Sequence, residues 1–396
     1  MKNERGKKMV EHRENTYFVS GRISADNAEQ FNEALQEAFS ESDPVLDFSE
    51  VCYISSSGLR VLLKLRKEVN SVQVLNVNDV VYEILDNSGF TELMTVKKKL
   101  HEISIDHCEQ IGKGGTGTIY KIEGDMIIKV YNAGTSLDVV NAERECARNA
   151  FVSGVPTAIP FEVVKVGDCY GTLFEFIHAV SLGKAFQLYP ERFDELIDKY
   201  VALIRKLQNI ESTDGKFKNI KTIQHERLES LRGQLGDERV DLIEELNDAM
   251  PDGKTLIHGD LHTGNIMLQG DELVVIDMAD FAVGPKGYDF MCLCRDLFMM
   301  CRGPETAFAE QTLSMPVELA LKVWDSLSKK YLGIADDAAR NRVIQGELLA
   351  CTANSIASAA CMPAAFRERV IDRMKSIVDD TVMPNKDAVK AFMSSL

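Results

Sequence analysis

The sequence predicts two domains: an α/β domain in which helices cover a sheet, and a larger α+β domain made of a five-stranded antiparallel lobe and a helical lobe. In residues 14–98, short strand-like runs alternate with helically spaced apolar residues, which is typical of α/β structure. Residues 103–178 contain strand-like runs with one helical segment, whereas helical periodicity dominates from residue 189 onward. A chain of 396 residues is also too long for a single hydrophobic core.

The composition narrows the classes of function. The chain is 45% hydrophobic and 27% charged, as in soluble globular proteins, and its formal net charge of -16 argues against nucleic acid or an anionic membrane as the main partner. The polar N-terminus and the absence of long apolar runs predict neither a signal peptide nor a transmembrane helix. Nine cysteines without a Cys-x-x-Cys pair indicate reduced thiols in a cytoplasmic protein rather than a zinc site.

The first domain is predicted at residues 14–98, after a polar leader at 1–13. Its strands and helices alternate along the chain, which implies right-handed crossovers between neighbouring strands. The predicted strands are 17–21, 44–48 and 72–77, and the predicted helices are 25–39, a segment from residue 59, 80–85 and 91–96.

Three segments of this domain carry a family resemblance. Residues 45–51, 54–59 and 75–77 resemble a STAS domain, the fold of bacterial anti-sigma factor antagonists. In that family a loop reads Asp-Ser-Ser-Gly, and a partner kinase phosphorylates its second serine. The resemblance therefore implies a regulatory protein partner and makes Ser57 a candidate phosphosite, although Ser55 stands where the family has Asp. Phosphate at a helix N-terminus would meet free N–H groups, but serine there is also a good N-cap without regulation.

A charged linker at residues 99–102 leads into the second domain, predicted at 103–396 with its first lobe at 103–178, its helical lobe at 179–396 and its first strand at 103–105. A glycine-rich segment follows, and it leads into a strand rather than into a helix as a dinucleotide-binding loop would. The pattern favours a loop between antiparallel strands that presents backbone N–H groups to a triphosphate, with an ordinary turn as the alternative. The glycines concerned are Gly112, Gly114, Gly115 and Gly117.

The next strand, predicted at 126–131, carries Lys129 within an apolar run. A buried lysine is costly unless it is paired or bound to phosphate. A helix predicted at 137–151 offers Glu143 and Glu145, which lie two residues apart and therefore face different directions.

The candidate catalytic stretch lies further along the chain, where apolar runs at 256–257 and 273–276 border a polar loop. Phosphoryl transfer needs a carboxylate to orient the attacking hydroxyl, and a carboxylate and an amide to hold metal on the nucleotide. Asp260 suits the first role, and Asn265 and Asp277 suit the second. A turn in which Asp only caps the following segment is the alternative for an isolated His-Gly-Asp.

The run from His258 to Asn265, followed by Asp277, resembles the catalytic loop of the aminoglycoside phosphotransferase and choline kinase group. That group, within the kinase-like superfamily, has the motif His-Gly-Asp-x-x-x-x-Asn and a following strand that ends in a metal-binding Asp. The resemblance implies a protein-kinase-like bilobal fold that uses ATP and Mg²⁺, with Asp260 as the catalytic residue. Thr263 stands where the family usually has Pro, at a position outside its catalytic set.

The resemblance also implies how the nucleotide is held. It favours Glu145, the second Glu of Glu-Arg-Glu, as the partner of Lys129. The segment 171–177, which includes Glu175 and Ile177, looks like the crossing segment whose backbone hydrogen-bonds the adenine.

Supporting roles follow from the same resemblance. His258 belongs to the motif, and Asp289 occupies the place of an Asp that braces the catalytic loop, with plain helix capping as an open alternative. Apart from the resemblance, Asp280 is acidic and close to Asp277 in the sequence, which makes it a further candidate for contact with metal or substrate. The later helices, predicted at 316–331, 336–360 and 363–382, match no subfamily signature, so the acceptor stays open.

The sequence thus predicts an ATP- and Mg²⁺-dependent phosphotransferase that acts on a hydroxyl of an amino sugar, an amino alcohol or a similar small molecule. One alternative is a protein Ser kinase that modifies its own Ser57 or a separate STAS partner. Another is a non-catalytic regulator that senses nucleotide.

Overall fold

The computed structural model describes residues 8–303, 306–361 and 364–396. The chain divides into two compact units, Met1–Glu102 and Ile103–Leu396, and each is described by itself. The start of the helix predicted at 363–382 and the first seven residues of the predicted leader lie outside the described residues.

The first unit is a five-stranded sheet with strand order β1-β2-β3-β4-β5, in which only the β1–β2 pair is antiparallel. This confirms the predicted α/β class. Its elements are β1 (Val10–Arg13), β2 (Thr16–Ile23), α1 (Ala28–Ala34), β3 (Val45–Ile54), α2 (Ser56–Glu68), β4 (Gln73–Val77), α3 (Asp79–Asn87), α4 (Phe90–Leu93) and β5 (Thr95–Lys98).

Three predicted elements of this unit need correction. Residues 10–13, predicted as leader, form β1 and pair with β2. The helix predicted at 25–39 is shorter, because α1 spans Ala28–Ala34 between short 3₁₀ turns. The helix predicted at 91–96 ends at Leu93, since β-branched Thr95 and Val96 pair with β4 and complete the sheet edge.

Helix α2 packs its apolar face onto this sheet. Val61, Leu62 and Leu65 are buried, as the helical period requires. A Cβ on Gly58 would lie 2.5 Å from a side-chain carbon of Ile23, so the absence of a side chain lets the first turn approach the sheet closely.

The second unit begins with a five-stranded antiparallel sheet, in the order β6-β7-β8-β10-β9, with a single helix, α5. This confirms the predicted first lobe. Residues 103–105 are not a strand, although the N–H of Ile103 donates to Lys165 O at 2.9 Å. The elements are β6 (Glu109–Lys113), β7 (Gly117–Ile122), β8 (Met126–Tyr131), α5 (Leu137–Val152), β9 (Pro160–Val166) and β10 (Cys169–Glu175).

The rest of this unit is largely helical and carries two small antiparallel sheets, β11-β13-β14 and β12-β15. None of its described helices is long and apolar enough to cross a membrane. The elements are β11 (Val180–Ser181), α6 (Leu182–Leu188), α7 (Phe193–Gln208), α8 (Ile220–Leu235), α9 (Asp237–Asp248), β12 (Thr255–Ile257), β13 (Ile266–Gln269), β14 (Glu272–Val275), β15 (Ala282–Gly284), α10 (Tyr288–Cys294), α11 (Met300–Arg302), α12 (Thr306–Leu313), α13 (Val317–Leu332), α14 (Asp337–Ser358), α15 (Ala364–Ile377) and α16 (Lys386–Met393).

Candidate active site

The loop from residue 258 to 265 is held at both ends by buried strands. Leu256 and Ile257 of β12 and Ile266 of β13 have no exposed surface, so the short strands fix where the polar loop leaves the core. Thr263 is also buried, and its hydroxyl donates to Leu313 O at 2.8 Å. Thr263, which stands where the aminoglycoside phosphotransferase and choline kinase group usually has Pro, therefore anchors the loop to the helical lobe.

Asp289, in the first turn of α10, holds the start of this loop. Its buried carboxylate accepts hydrogen bonds from the N–H of His258 at 3.0 and 3.1 Å and from the N–H of Gly259 at 2.8 Å. Burial raises the pKa of this carboxyl group, although the N–H donors oppose the rise. His258 contributes a second tie, because its Nε2 donates to Ile276 O at 3.0 Å and its Nδ1 accepts from the Asp260 N–H at 3.3 Å.

The carboxylate of Asp260 is surrounded by donors. Arg295 Nη2 donates to Oδ1 at 3.2 Å, and Asn265 Nδ2 donates to Oδ2 at 3.1 Å. His262 Nε2 lies 3.5 Å from Oδ2. Burial alone would raise the pKa of Asp260, but the charges of His262 and Arg295 outweigh it and hold the pKa well below its usual range. Asp260 is therefore ionised and oriented across the neutral pH range.

Lys129 on β8 pairs with Glu143. Its Nζ lies 2.6 Å from Glu143 Oε1 and 3.6 Å from Asp277 Oδ1. The Lys129 and Glu143 side chains are each 11% exposed. Burial opposes the charge on Lys129, but Asp277 and Glu143 outweigh burial and raise its pKa.

The prediction that Glu145 holds Lys129 is wrong. Glu145 contacts Arg144 and Arg148, and its side chain is 45% exposed. The reason is helical periodicity: Glu143 follows buried Val140 by three residues and precedes buried Ala147 by four, so it shares the inward face of α5.

Asp277 follows the short strand β14 in a left-handed backbone conformation with φ of 63°, which Asp tolerates better than most residues. It is tied to the loop through its neighbour, since the Ile276 N–H donates to Asn265 O at 2.9 Å. Lys129, Asp260, Asn265 and Asp277 thus belong to one connected cluster.

The donor set of this cluster fits magnesium shared with a nucleotide. Mg²⁺ is commonly held by one or two protein oxygens plus phosphate oxygens and water. The side-chain oxygens of Asn265 and Asp277 are of this kind, and the Asp277 side chain is 44% exposed. No group of three or more His, Cys, Asp or Glu side chains among the described residues is arranged to hold a metal by itself. Asn265 and Asp277 would therefore hold the ion together with substrate phosphates.

The glycine-rich segment is the turn between β6 and β7. Gly114 N–H donates to Gly117 O at 2.9 Å, and Asn132 Nδ2 donates to Gly115 O at 2.7 Å. A Cβ on Gly117 would lie 2.3 Å from Val130 O, so this glycine is required by close contact between neighbouring strands. Gly112 and Gly115 have no such constraint, because added Cβ atoms would meet only ordinary contacts or open space.

Glu175 and Ile177 lie where the chain leaves the five-stranded sheet and enters the helical lobe. Glu175 ends β10, and its side chain accepts from the Ile159 N–H at 3.5 Å. Phe176 and His178, on either side of Ile177, line a cavity of about 480 Å³. Adenine binding by this segment stays a prediction.

Ser57 is the second residue of α2 in the first unit. Ser55 is the N-cap, and its side chain accepts from the Gly58 N–H at 3.4 Å. Ser57 is therefore not the capping residue, and its hydroxyl group does not cap α2.

Sequence reasoning missed two neighbours of Asp260, namely Arg295 and His262. Asp280, a further candidate for contact with metal or substrate, pairs with Arg227 of α8. Arg295 had a signal in the sequence, because it and Asp296 interrupt the apolar run 291–300. Two adjacent charges in a buried helix need partners, and Arg295 Nε donates to Asp296 Oδ1 at 2.6 Å.

Comparison with known families agrees with this architecture. The model of the phosphotransferase enzyme family matches residues 107–315, and the model of the STAS domain matches residues 7–103. The chain belongs to the phosphotransferase enzyme family and carries an N-terminal STAS domain. It is therefore a phosphotransferase.

Solved structures show weak overall similarity. ADP-bound aminoglycoside phosphotransferase APH(2'')-Ib is 16% identical, with 74% of this chain and 97% of that chain covered and a TM-score of 0.44. The gentamicin complex of APH(2")-IIa is 18% identical, with coverages of 79% and 99% and a TM-score of 0.46. A choline/ethanolamine kinase family protein from Mesorhizobium loti is 14% identical, with coverages of 73% and 92% and a TM-score of 0.44. No curated protein matches the chain.

Proposed function

We propose that the chain transfers the γ-phosphate of ATP, with magnesium, to a hydroxyl group of a small molecule. The observation that carries this proposal is the connected cluster of Lys129, Asp260, Asn265 and Asp277, which come from separate parts of the sequence. Phosphoryl transfer depends mainly on positioning and on neutralising charge, and this cluster combines a cation, an ionised carboxylate and metal-binding oxygens.

Asp260 is the residue that meets the acceptor. Its ionised carboxylate accepts a hydrogen bond from the acceptor hydroxyl and aligns that oxygen with the γ-phosphorus. The new O–P bond forms as the bond from the γ-phosphorus to the ADP oxygen breaks, and the hydroxyl proton passes to Asp260. Because its pKa is low, Asp260 acts more by orienting the hydroxyl group than as a strong base.

The remaining residues hold the nucleotide. Lys129, fixed by Glu143, binds the α- and β-phosphates, and the turn between β6 and β7 lies over the triphosphate through its backbone N–H groups. Asn265 and Asp277 would hold magnesium, which supplies charge neutralisation on the phosphates.

The test is ADP release with a panel of amino sugars, amino alcohols and uncharged polyols, followed by mass spectrometry of the product. We expect at least one phosphorylated acceptor, and loss of turnover in Asp260→Ala with Mg-ATP binding retained. Asp252→Ala, a change at a side chain that is 84% exposed, is the matched control and should keep wild-type turnover. Equal turnover in wild type and Asp260→Ala would contradict the assigned role.

A second candidate function is that of a protein Ser kinase that modifies Ser57 or a separate STAS partner. The position of Ser57, two residues after the N-cap Ser55 and free of the capping role, favours it. Intact mass after incubation with Mg-ATP should then show one added phosphate that Ser57→Ala removes and Ser56→Ala keeps. No mass increase on the chain or on an added STAS partner would exclude this function.

A further inference from the structure

The tip of the glycine-rich turn between β6 and β7 consists of two exposed residues, Gly115 and Thr116. The last hydrogen bond before the tip runs from the Gly114 N–H to Gly117 O at 2.9 Å. A Cβ on Gly115 would meet no described atom beyond its chain neighbours within 4 Å. Steric contact with the rest of the lobe therefore does not fix the orientation of the tip.

Asn132, the residue after β8, binds both carbonyl groups of this tip. Its backbone N–H donates to Thr116 O at 3.1 Å, and its side-chain Nδ2 donates to Gly115 O at 2.7 Å. The first bond extends the β7–β8 ladder, in which Gly117 lies opposite Tyr131, by one further pair. The second bond comes from a side chain and lies outside the ladder. One residue thus holds two successive peptide groups of the tip.

The end of β8 also leaves one N–H group of the tip unused. In a complete antiparallel ladder, the Thr116 N–H would donate to Asn132 O. Asn132 O accepts instead from the Thr135 N–H at 3.1 Å, because the chain turns after β8. Within the part of the chain that the structure describes, the Thr116 N–H has no hydrogen-bond partner. This exposed donor is therefore available to a ligand.

The direction of this N–H follows from the geometry of the peptide bond. In a trans peptide, the C=O of one residue and the N–H of the next point in opposite directions. Gly115 O points towards Asn132, so the Thr116 N–H points away from it.

Side-chain alternation along β8 tells which face of the sheet this is. Lys129 and Tyr131 share one face, since the Lys129 Nζ lies 5.3 Å from the centre of the Tyr131 ring. The alternation places Asn132 on the opposite face. The Thr116 N–H therefore points to the face of the sheet that carries Lys129.

A triphosphate on that face would gain from a neutral donor. Lys129 is a cation there, but its charge is shared with Glu143 at 2.6 Å and Asp277 at 3.6 Å. Backbone N–H groups of a turn bind phosphate oxygens without a further charged side chain, and hydrogen bonds to charged acceptors are stronger than neutral ones.

We propose that Asn132 is a positioning residue, which orients the glycine-rich turn so that the Thr116 N–H donates to a phosphate oxygen of ATP on the Lys129 side of the sheet. This inference rests on the proposed function and adds a residue to its nucleotide site. Loss of the Asn132 side chain should weaken binding of the phosphates and leave binding of the nucleoside unchanged.

The test is calorimetric titration of the full chain with Mg-ATP and, separately, with adenosine, which lacks phosphates. Asn132→Ala removes the side-chain donor and keeps the backbone N–H. We expect about tenfold weaker binding of Mg-ATP, equivalent to about 1.4 kcal/mol, with unchanged binding of adenosine. Because Asn132 is exposed, Tm should match that of wild type. Asn141→Ala, at an exposed position of α5, is the matched control and should bind both ligands as wild type does.

A conservative variant separates the hydrogen bond from a merely structural role. Asn132→Gln retains an amide donor on a longer side chain and should recover most of the lost affinity for Mg-ATP. Unchanged affinity for Mg-ATP in Asn132→Ala, an equal loss of affinity for adenosine, or no recovery in Asn132→Gln would each overturn the inference.

ADP release with the acceptor panel distinguishes this inference from the proposed function. Weaker binding of Mg-ATP in Asn132→Ala, together with no phosphorylated acceptor for the wild-type chain, would contradict the kinase proposal while the role of Asn132 stands. A wild-type chain that phosphorylates an acceptor, with equal affinity for Mg-ATP in Asn132→Ala, would support the kinase and overturn the role of Asn132. No binding of Mg-ATP to the wild-type chain would overturn both.

Discussion

Replacing Glu143 by Gln tests the buried ion pair that holds Lys129. The change keeps the size of the side chain and removes its charge, so Lys129 is left with Asp277 at 3.6 Å, a carboxylate on a side chain that is 44% exposed. Breaking a buried ion pair costs about 3–5 kcal/mol, and the remaining partner should reduce this to about 2–3 kcal/mol. At about 2–4 °C per kcal/mol for a domain of this order of size, Tm should fall by about 4–12 °C.

In Glu143→Gln, the loss of enzymatic activity should be clearer than the loss of thermal stability. A mobile Lys129 no longer binds the phosphates in a fixed position, so we expect KM for ATP to rise and kcat/KM to fall by about 10–100-fold, equivalent to about 1.4–2.7 kcal/mol. Steady-state ADP release at temperatures below both melting transitions measures this without interference from unfolding.

Glu145→Gln is the matched control, two residues away on the same helix. Its side chain is 45% exposed and contacts arginines on the surface, so kcat/KM should stay within about twofold of wild type. Loss of activity in Glu145→Gln together with normal activity in Glu143→Gln would refute the assignment of Glu143 and restore the pairing that the family resemblance suggested.

Three further predictions concern separate features. Asp260→Asn should lower kcat by about 10²–10⁴-fold with little change in nucleotide affinity, measured by calorimetry, and a loss of affinity equal to the loss of kcat would contradict a role in orienting the acceptor. Gly117→Ala should lower Tm, because its Cβ would lie 2.3 Å from Val130 O, whereas Gly115→Ala should leave Tm nearly unchanged; equal effects would contradict the contact. Burial raises the pKa of Glu347 from 4.5 to about 8, so the folded state binds more protons than the unfolded state between these pH values, and the free energy of unfolding should decline from about pH 4.5 to 8. Urea unfolding should show a flatter decline with pH in Glu347→Gln. An equally steep decline in this variant would argue against Glu347 as its cause.

The architecture was accessible from the sequence because it depends on local patterns. Apolar residues of α7 repeat at helical spacing over Phe193–Gln208, and the strand at Met126–Tyr131 has the bounds expected from its β-branched run. Prediction failed where pairing with a distant strand outweighed local preference. Residues 95–98 joined β4 as an edge strand, although residues 95 and 96 were expected to end a helix.

Some of the candidate catalytic contacts could likewise be predicted from local sequence, whereas others depend on tertiary packing. Asp260 and Asn265 lie five residues apart on one loop between two strands, so their spacing alone places them together. The partner of Lys129 required the inward face of α5, which became clear only when Val140 and Ala147 were seen to be buried. The helical period of the apolar residues was present in the sequence, but the family resemblance pointed to the other glutamate.

By itself, the sequence determined the two-domain order, the phosphotransferase family motif and the members of its polar loop, because each depends on neighbours along the chain. Only the tertiary structure decided that Glu143 holds Lys129, that Asp289 ties down the loop 31 residues before it, and that Arg295 contacts Asp260 from 35 residues away. These contacts depend on how helices pack against one another. Helix packing depends on the simultaneous burial of many apolar side chains from distant parts of the chain, so it cannot be inferred from any short segment of the sequence.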